Sequence, residues 1–144
     1  MQLYIGGAYS GKRNMVRKTY ENEKLVWFSA YESQAVDGWK DSWEKGSNLV
    51  LEGWEIWLEE ALKVENDDFI VRKKFLALLK ELAQAEMERE GRVILIMLEV
   101  GRGIVPVEAH LRRLRDLSGW LTQDAASQCE EVHYIWHGIG EQVR

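Results

Sequence analysis

The segment Gly6-Gly7-Ala8-Tyr9-Ser10-Gly11-Lys12 constrains this chain more than any other. It fits G-x-x-x-x-G-K, follows the β-prone run Gln2-Leu3-Tyr4-Ile5, and leads into Lys12 to Tyr20. There Met15, Val16, Thr19 and Tyr20 recur at helical spacing. A strand that feeds a glycine-rich turn and then a helix lets backbone N–H groups wrap a phosphate. The lysine reaches the terminal phosphates, and the helix N-terminus adds its dipole. Gly6, Gly7, Ala8, Tyr9, Ser10, Gly11, Lys12 and Arg13 are therefore the candidate nucleotide-binding residues, with a plain glycine-rich turn as the alternative.

Arg13 departs from the motif. A P-loop normally supplies Ser or Thr there, whose hydroxyl ligates Mg²⁺. A guanidinium has no acceptor to offer a metal, so the Mg²⁺ site is expected to be weakened and no metal ligand is assigned. Arg13 either contacts phosphate or points to solvent. Lys12, Glu52 at the end of the third expected strand and Glu99 at the end of the fourth are the candidate catalytic residues. For each glutamate the competing reading is a strand-end carboxylate in water. Arg112, Arg113 and Arg115 read as a solvated helix face, with approach to a substrate phosphate as the alternative. His133 and His137, four apart on one expected strand, lie too far apart to chelate one metal.

Elsewhere, strand-like runs alternate with helical periodicity. Strands are expected over 2–6, 24–29, 48–52, 92–98 and 131–137, and helices over 12–20, from Trp54, from an N-cap at 66–68, and over 107–129. Gly91 reads as a helix C-cap. Residues 30–47 are the least regular, with Trp39 and Trp43 on one face of a short helix. Gly101, Gly103 and Pro106 mark a loop. Such alternation predicts an α/β fold, a mainly parallel sheet flanked by helices, in one P-loop domain over 1–144. Seven tryptophans read as core mass, with ligand stacking by Trp39 or Trp43 as the minority option.

The net charge of −5 disfavours nucleic-acid binding. One cysteine, Cys129, makes no internal disulfide or multi-cysteine zinc site. The longest apolar run, Val93 to Leu98, is too short to cross a bilayer, and the N-terminus lacks an export signal, so a cytoplasmic location is expected.

The C-terminal third carries more specific strings: Glu99-Val100-Gly101-Arg102-Gly103-Ile104-Val105-Pro106, then Arg115-Asp116-Leu117-Ser118-Gly119, Gln123, and Gly138-Ile139-Gly140. Together with the Gly6–Lys12 loop and Val50-Leu51-Glu52 before Trp57-Leu58, their order resembles the bifunctional adenosylcobinamide kinase / adenosylcobinamide-phosphate guanylyltransferase family of cobalamin biosynthesis. The resemblance implies a RecA-like P-loop fold, GTP or ATP as ligand, and adenosylcobinamide as corrinoid partner. It also implies a homo-oligomer, a trimer with sites between subunits. In that family a nucleoside triphosphate phosphorylates the aminopropanol hydroxyl, and GTP then guanylylates the product through a histidine. Several departures stand out. Arg13 replaces the loop serine, residues 30–47 look shortened, and no histidine precedes His110. Trp120 and Thr122 replace the family's arginine and asparagine. The guanylyl-accepting histidine is therefore absent, and the residues leave catalysis open. The competing readings are a non-catalytic nucleotide-binding regulator or partner subunit, and a P-loop kinase acting on another small molecule.

Overall fold

The computed structural model describes residues 1–100 and 107–144. In chain order the elements are β1 (Gln2–Gly6), α1 (Lys12–Thr19), β2 (Leu25–Ser29), α2 (Trp39–Ser42), β3 (Asn48–Glu52), α3 (Trp54–Val64) and α4 (Asp68–Glu88). Then come β4 (Val93–Leu98), α5 (Ala109–Gln128), β5 (Glu131–Trp136) and β6 (Ile139–Gln142). They build one six-stranded sheet in the order β2-β3-β4-β1-β5-β6. β1 to β5 run parallel and β6 is antiparallel to β5. This is the P-loop, RecA-like α/β arrangement the sequence predicts, with β1 at the centre between β4 and β5.

Strand parity sorts the core. Leu3, Leu49, Leu51, Val93, Leu95, Met97 and Val132 face one side, where α3, α4 and α5 bury Trp54, Leu58, Phe75, Leu79, Leu82 and Leu121 against them. Tyr4, Val50, Ile94, Ile96 and Ile135 face the other side and pack on Val16 and Tyr20 at α1. A sheet covered on both faces needs near-continuous apolar strands, which explains β3 and β4. Each large side chain so buried contributes about 1.5–3 kcal/mol relative to exposure. α4 begins at Asp67, whose carboxylate accepts from the N–H groups of Phe69 and Ile70, 2.9 and 3.4 Å away.

Several expectations need correction. The last expected strand stops at Trp136 instead of running through His137, and a two-residue turn leads into β6. Both turn residues, His137 and Gly138, have positive φ (49° and 73°), the primed geometry that matches strand twist. His133 and His137 thus do not share a strand. Gly91 is not a helix cap, because α4 already ends at Glu88. It is a close-approach site, where a Cβ would lie 2.2 Å from the Ser47 carbonyl oxygen. Residues 30–47 form two 3-10 turns and the short α2. Trp39 and Trp43 there are buried with 6.4 Å between ring centres, as core mass, and Trp39 also borders a hollow of about 380 Å³ with Lys40 and Phe75. The expected loop at Gly101, Gly103 and Pro106, and with it most of the Glu99-to-Pro106 string, lies outside the described residues.

Candidate nucleotide site

β1 delivers the chain to Gly6 at the carboxyl edge of the sheet, and α1 leaves from Lys12. Between them Gly11 turns at φ 95°, and Tyr9 stands at the loop tip, fully exposed. The Lys12 ammonium folds back over this loop. It donates to the Gly7 and Gly6 carbonyl oxygens at 2.6 and 3.1 Å and lies 3.4 Å from the Ser10 hydroxyl. Burial pulls its pKa below the ordinary lysine value, against the opposing charges of Glu55 and Glu52.

Arg13 is half exposed, and the structure adds a partner the sequence did not suggest. Its Nε donates to Glu52 Oε2 at 2.8 Å and its Nη2 to Oε1, a two-pronged ion pair. The hydrogen bond to Glu52 raises the guanidinium pKa, although the group is already charged at any ordinary pH. Glu52 is only 3% exposed, so the water-facing alternative for it does not hold. A neighbouring pair completes this wall: the Tyr31 hydroxyl donates to Glu55 Oε1, and the Arg13 guanidinium lies 5.9 Å from the Tyr31 ring centre. Burial first, and then the bond to Glu55, push the Tyr31 phenol pKa well up. Glu55 Oε2 is buried without a hydrogen-bond partner.

These groups enclose a cavity of about 700 Å³ lined by the loop from Ala8 to Lys12 and by Arg13, Tyr31, Glu52 and Glu55. Its size falls in the range of small-molecule sites, roughly 300–1,000 Å³. A second hollow of about 510 Å³ shares Arg13, Arg17 and Glu52 and extends to Trp27, Ser29 and Gln34. Arg17 lies over the Trp27 ring at 4.9 Å.

Glu99 stands apart from the cavity lining. Its backbone N–H donates to the Gly6 carbonyl at 2.8 Å, and its carboxylate accepts from the Tyr134 hydroxyl at 2.5 Å. None of the three arginines is among the residues lining this cavity. Arg113 bonds Asp68 and the Glu65 and Asn66 carbonyls, Arg115 pairs with Asp116, and Arg112 donates to the Val107 carbonyl.

The described residues fit a phosphate-bound Mg²⁺ poorly: of the carboxylates lining the cavity, Glu55 alone keeps an oxygen, Oε2, without a partner. The position of the usual hydroxyl ligand carries a guanidinium, and both oxygens of the nearest strand-end carboxylate are held by it. Among the described residues no group of three or more His, Cys, Asp or Glu could hold a metal ion.

Three contributors escaped the sequence reading. Glu55 lies three residues after Glu52, on the first turn of α3, a spacing that could have flagged it. Tyr31 sits in the irregular stretch after β2, which gave no signal. The His137–Gly138 turn touches the loop itself: the Gly138 N–H donates to the Ser10 carbonyl at 2.8 Å.

Comparison with known proteins places this geometry in a lineage. The family described as cobinamide kinase / cobinamide phosphate guanyltransferase matches residues 26–143. The bifunctional adenosylcobalamin biosynthesis protein CobP of Pseudomonas aeruginosa is 30% identical over 142 residues, covering 94% of this chain and 78% of that protein. The corresponding CobU proteins match over shorter stretches. That of Escherichia coli is 34% identical over 66 residues, 46% of this chain and 36% of its own length. That of Salmonella typhimurium is 38% identical over 54 residues, 38% of this chain and 30% of its own. The extent of these matches, joined to the sheet order and the loop, decides the lineage: the chain belongs to the cobinamide kinase / cobinamide phosphate guanyltransferase family.

Proposed function

We propose that this chain binds a nucleoside triphosphate, GTP or ATP, on the Gly6–Lys12 loop and phosphorylates the hydroxyl of an adenosylcobinamide-type corrinoid. The observation that carries the reading is the loop itself: a strand-turn-helix glycine loop at the carboxyl edge of a central parallel strand, its lysine within the loop, opening on a cavity of about 700 Å³. Backbone N–H groups and the α1 N-terminus would hold the phosphates. Lys12 would leave the loop carbonyls for the terminal phosphate oxygens and take up charge as the phosphoryl group moves. The homo-oligomer is part of the same proposal, to be checked by light scattering.

A second reading has its own support. Arg13 engages both oxygens of Glu52, which suits a nucleotide-binding regulator or partner subunit that has lost phosphoryl transfer.

One experiment separates them. Calorimetric titration with GTP and ATP comes first, on wild type and Lys12→Ala. Loss of the lysine removes a charge-assisted contact of about 1.5–3 kcal/mol, roughly 10- to 150-fold in affinity. Equal affinity in the two proteins sinks the loop as the binding site. Incubation with adenosylcobinamide follows, with mass detection of phosphorylated corrinoid. Product supports the kinase; tight nucleotide binding without product supports the regulator.

A further inference from the structure

Glu52 and Arg13 lie 39 residues apart in sequence yet meet in a two-pronged pair, and Glu52 is only 3% exposed. A carboxylate so buried cannot be left without a cation, because an unpaired buried charge is far more costly than the pair itself. Arg13 is therefore not free to swing away from Glu52 when a ligand arrives. It also has no need to. A guanidinium carries five N–H donors in a fixed plane, and Glu52 takes two of them. The remaining three are left for the cavity that Arg13 lines together with the loop and Lys12.

We propose that Arg13 is a built-in cation bridge, anchored on Glu52, which fits this site to nucleoside di- or triphosphates free of Mg²⁺ and masks Glu52 as a metal ligand. The inference rests on the nucleotide-binding part of the proposed function, and a site free of Mg²⁺ favours its second, regulator form over phosphoryl transfer. In an ordinary P-loop a divalent ion joins the phosphate oxygens to protein oxygens. Here one guanidinium edge holds the carboxylate and the other faces the phosphates. A nucleotide arriving with Mg²⁺ brings a second cation against Arg13, where like charges repel and neither Glu52 oxygen is open to it.

The test is titration of the full chain with ATP and with GTP, once in excess EDTA and once in millimolar Mg²⁺. Wild type is expected to bind at least as tightly in EDTA. Arg13→Ser restores the hydroxyl and unmasks Glu52, so Mg²⁺ should tighten its binding by about tenfold or more, the scale of one charge-assisted contact. The double variant Arg13→Ser with Glu52→Gln leaves no orphaned charge and should lose that Mg²⁺ response. A wild type that binds only with Mg²⁺ overturns the bridge and leaves the nucleotide reading standing. Absence of binding in both buffers overturns the nucleotide reading and the bridge with it. Should Arg13→Ser fail to fold, the wild-type comparison decides alone.

Discussion

Lys12 and Arg13 are neighbours in sequence with opposite commitments: the first holds only loop carbonyls and a hydroxyl, the second a buried carboxylate. Exchangeable contacts suit a group that must meet a ligand; a two-pronged bond to a buried carboxylate suits one that stays. Burial shapes another residue with a measurable consequence. It pushes the Cys129 thiol up from 9.0 to about 12, and Tyr20 is raised in the same direction, also chiefly by burial. A folded-state pKa above the unfolded one gives stability that is complete below the unfolded value. That stability fades as pH rises toward the folded value. Urea unfolding should therefore show stability falling once pH passes 9.0, and Cys129→Ala should shallow that fall, with Tyr20 supplying the remainder. Identical slopes in the two proteins would remove the thiol from the account. At neutral pH the thiol should resist a thiol reagent until the protein unfolds.

At the scale of elements, the loop is held from two sides. β1 and α1 fix its ends, and the β5–β6 turn closes on its back through the Gly138 N–H and the Ser10 carbonyl. The approach is close: a Cβ on Gly11 would meet the Gly138 Cα at 3.1 Å, while a Cβ on Gly138 meets nothing within 4 Å. Both residues have positive φ, so Ala at either position is strained by about 1–2 kcal/mol. Only Gly11→Ala adds a backbone contact. It should lose more stability in urea unfolding than Gly138→Ala, and should weaken nucleotide binding by displacing the turn. Equal losses would mean the turn does not brace the loop. How far the sequence revealed these elements follows from how local their causes are. The loop and its helix are contiguous, so motif and periodicity found them. β4 declared itself by an unbroken apolar run, and β3 by Leu49-Val50-Leu51 between Asn48 and Glu52. β6 did not, because all four of its residues are exposed and Ile139-Gly140-Glu141-Gln142 has no apolar alternation to read. Gly91 looked like a cap because a cap glycine and a close-approach glycine are the same letter. The wall of the site was invisible for a different reason. Arg13–Glu52 and Tyr31–Glu55 join segments that only the assembled sheet brings together, and no spacing rule spans 39 residues.

For the whole molecule, the question is whether any group could carry the covalent guanylyl step that the sequence resemblance implies. That step needs a side chain able to attack the α-phosphate and then leave, which a neutral imidazole does well near pH 7. The fold distributes the three histidines unfavourably. His110 lies at the start of α5, exposed and 3.4 Å from Glu108. His133 is stacked on Tyr4 at 4.6 Å between ring centres, within the sheet layer. His137 sits in the β5–β6 turn next to the loop, yet it is not among the residues lining the cavity that Lys12, Glu52 and Glu55 share. The lysines of residues 30–47 do no better. Lys40 lies 3.4 Å from Glu81 on α4 and over the Trp39 ring, and Lys45 is exposed. No guanylyl-enzyme is therefore expected after incubation with GTP and corrinoid phosphate, with or without Mg²⁺. Intact-mass spectrometry reads the answer directly. An unshifted mass agrees with a chain that kept the kinase half of its family's chemistry or only its nucleotide site. A stable adduct of one GMP overturns this expectation. His137 is the first residue to map, because its turn contacts the loop through the Gly138 N–H and the Ser10 carbonyl.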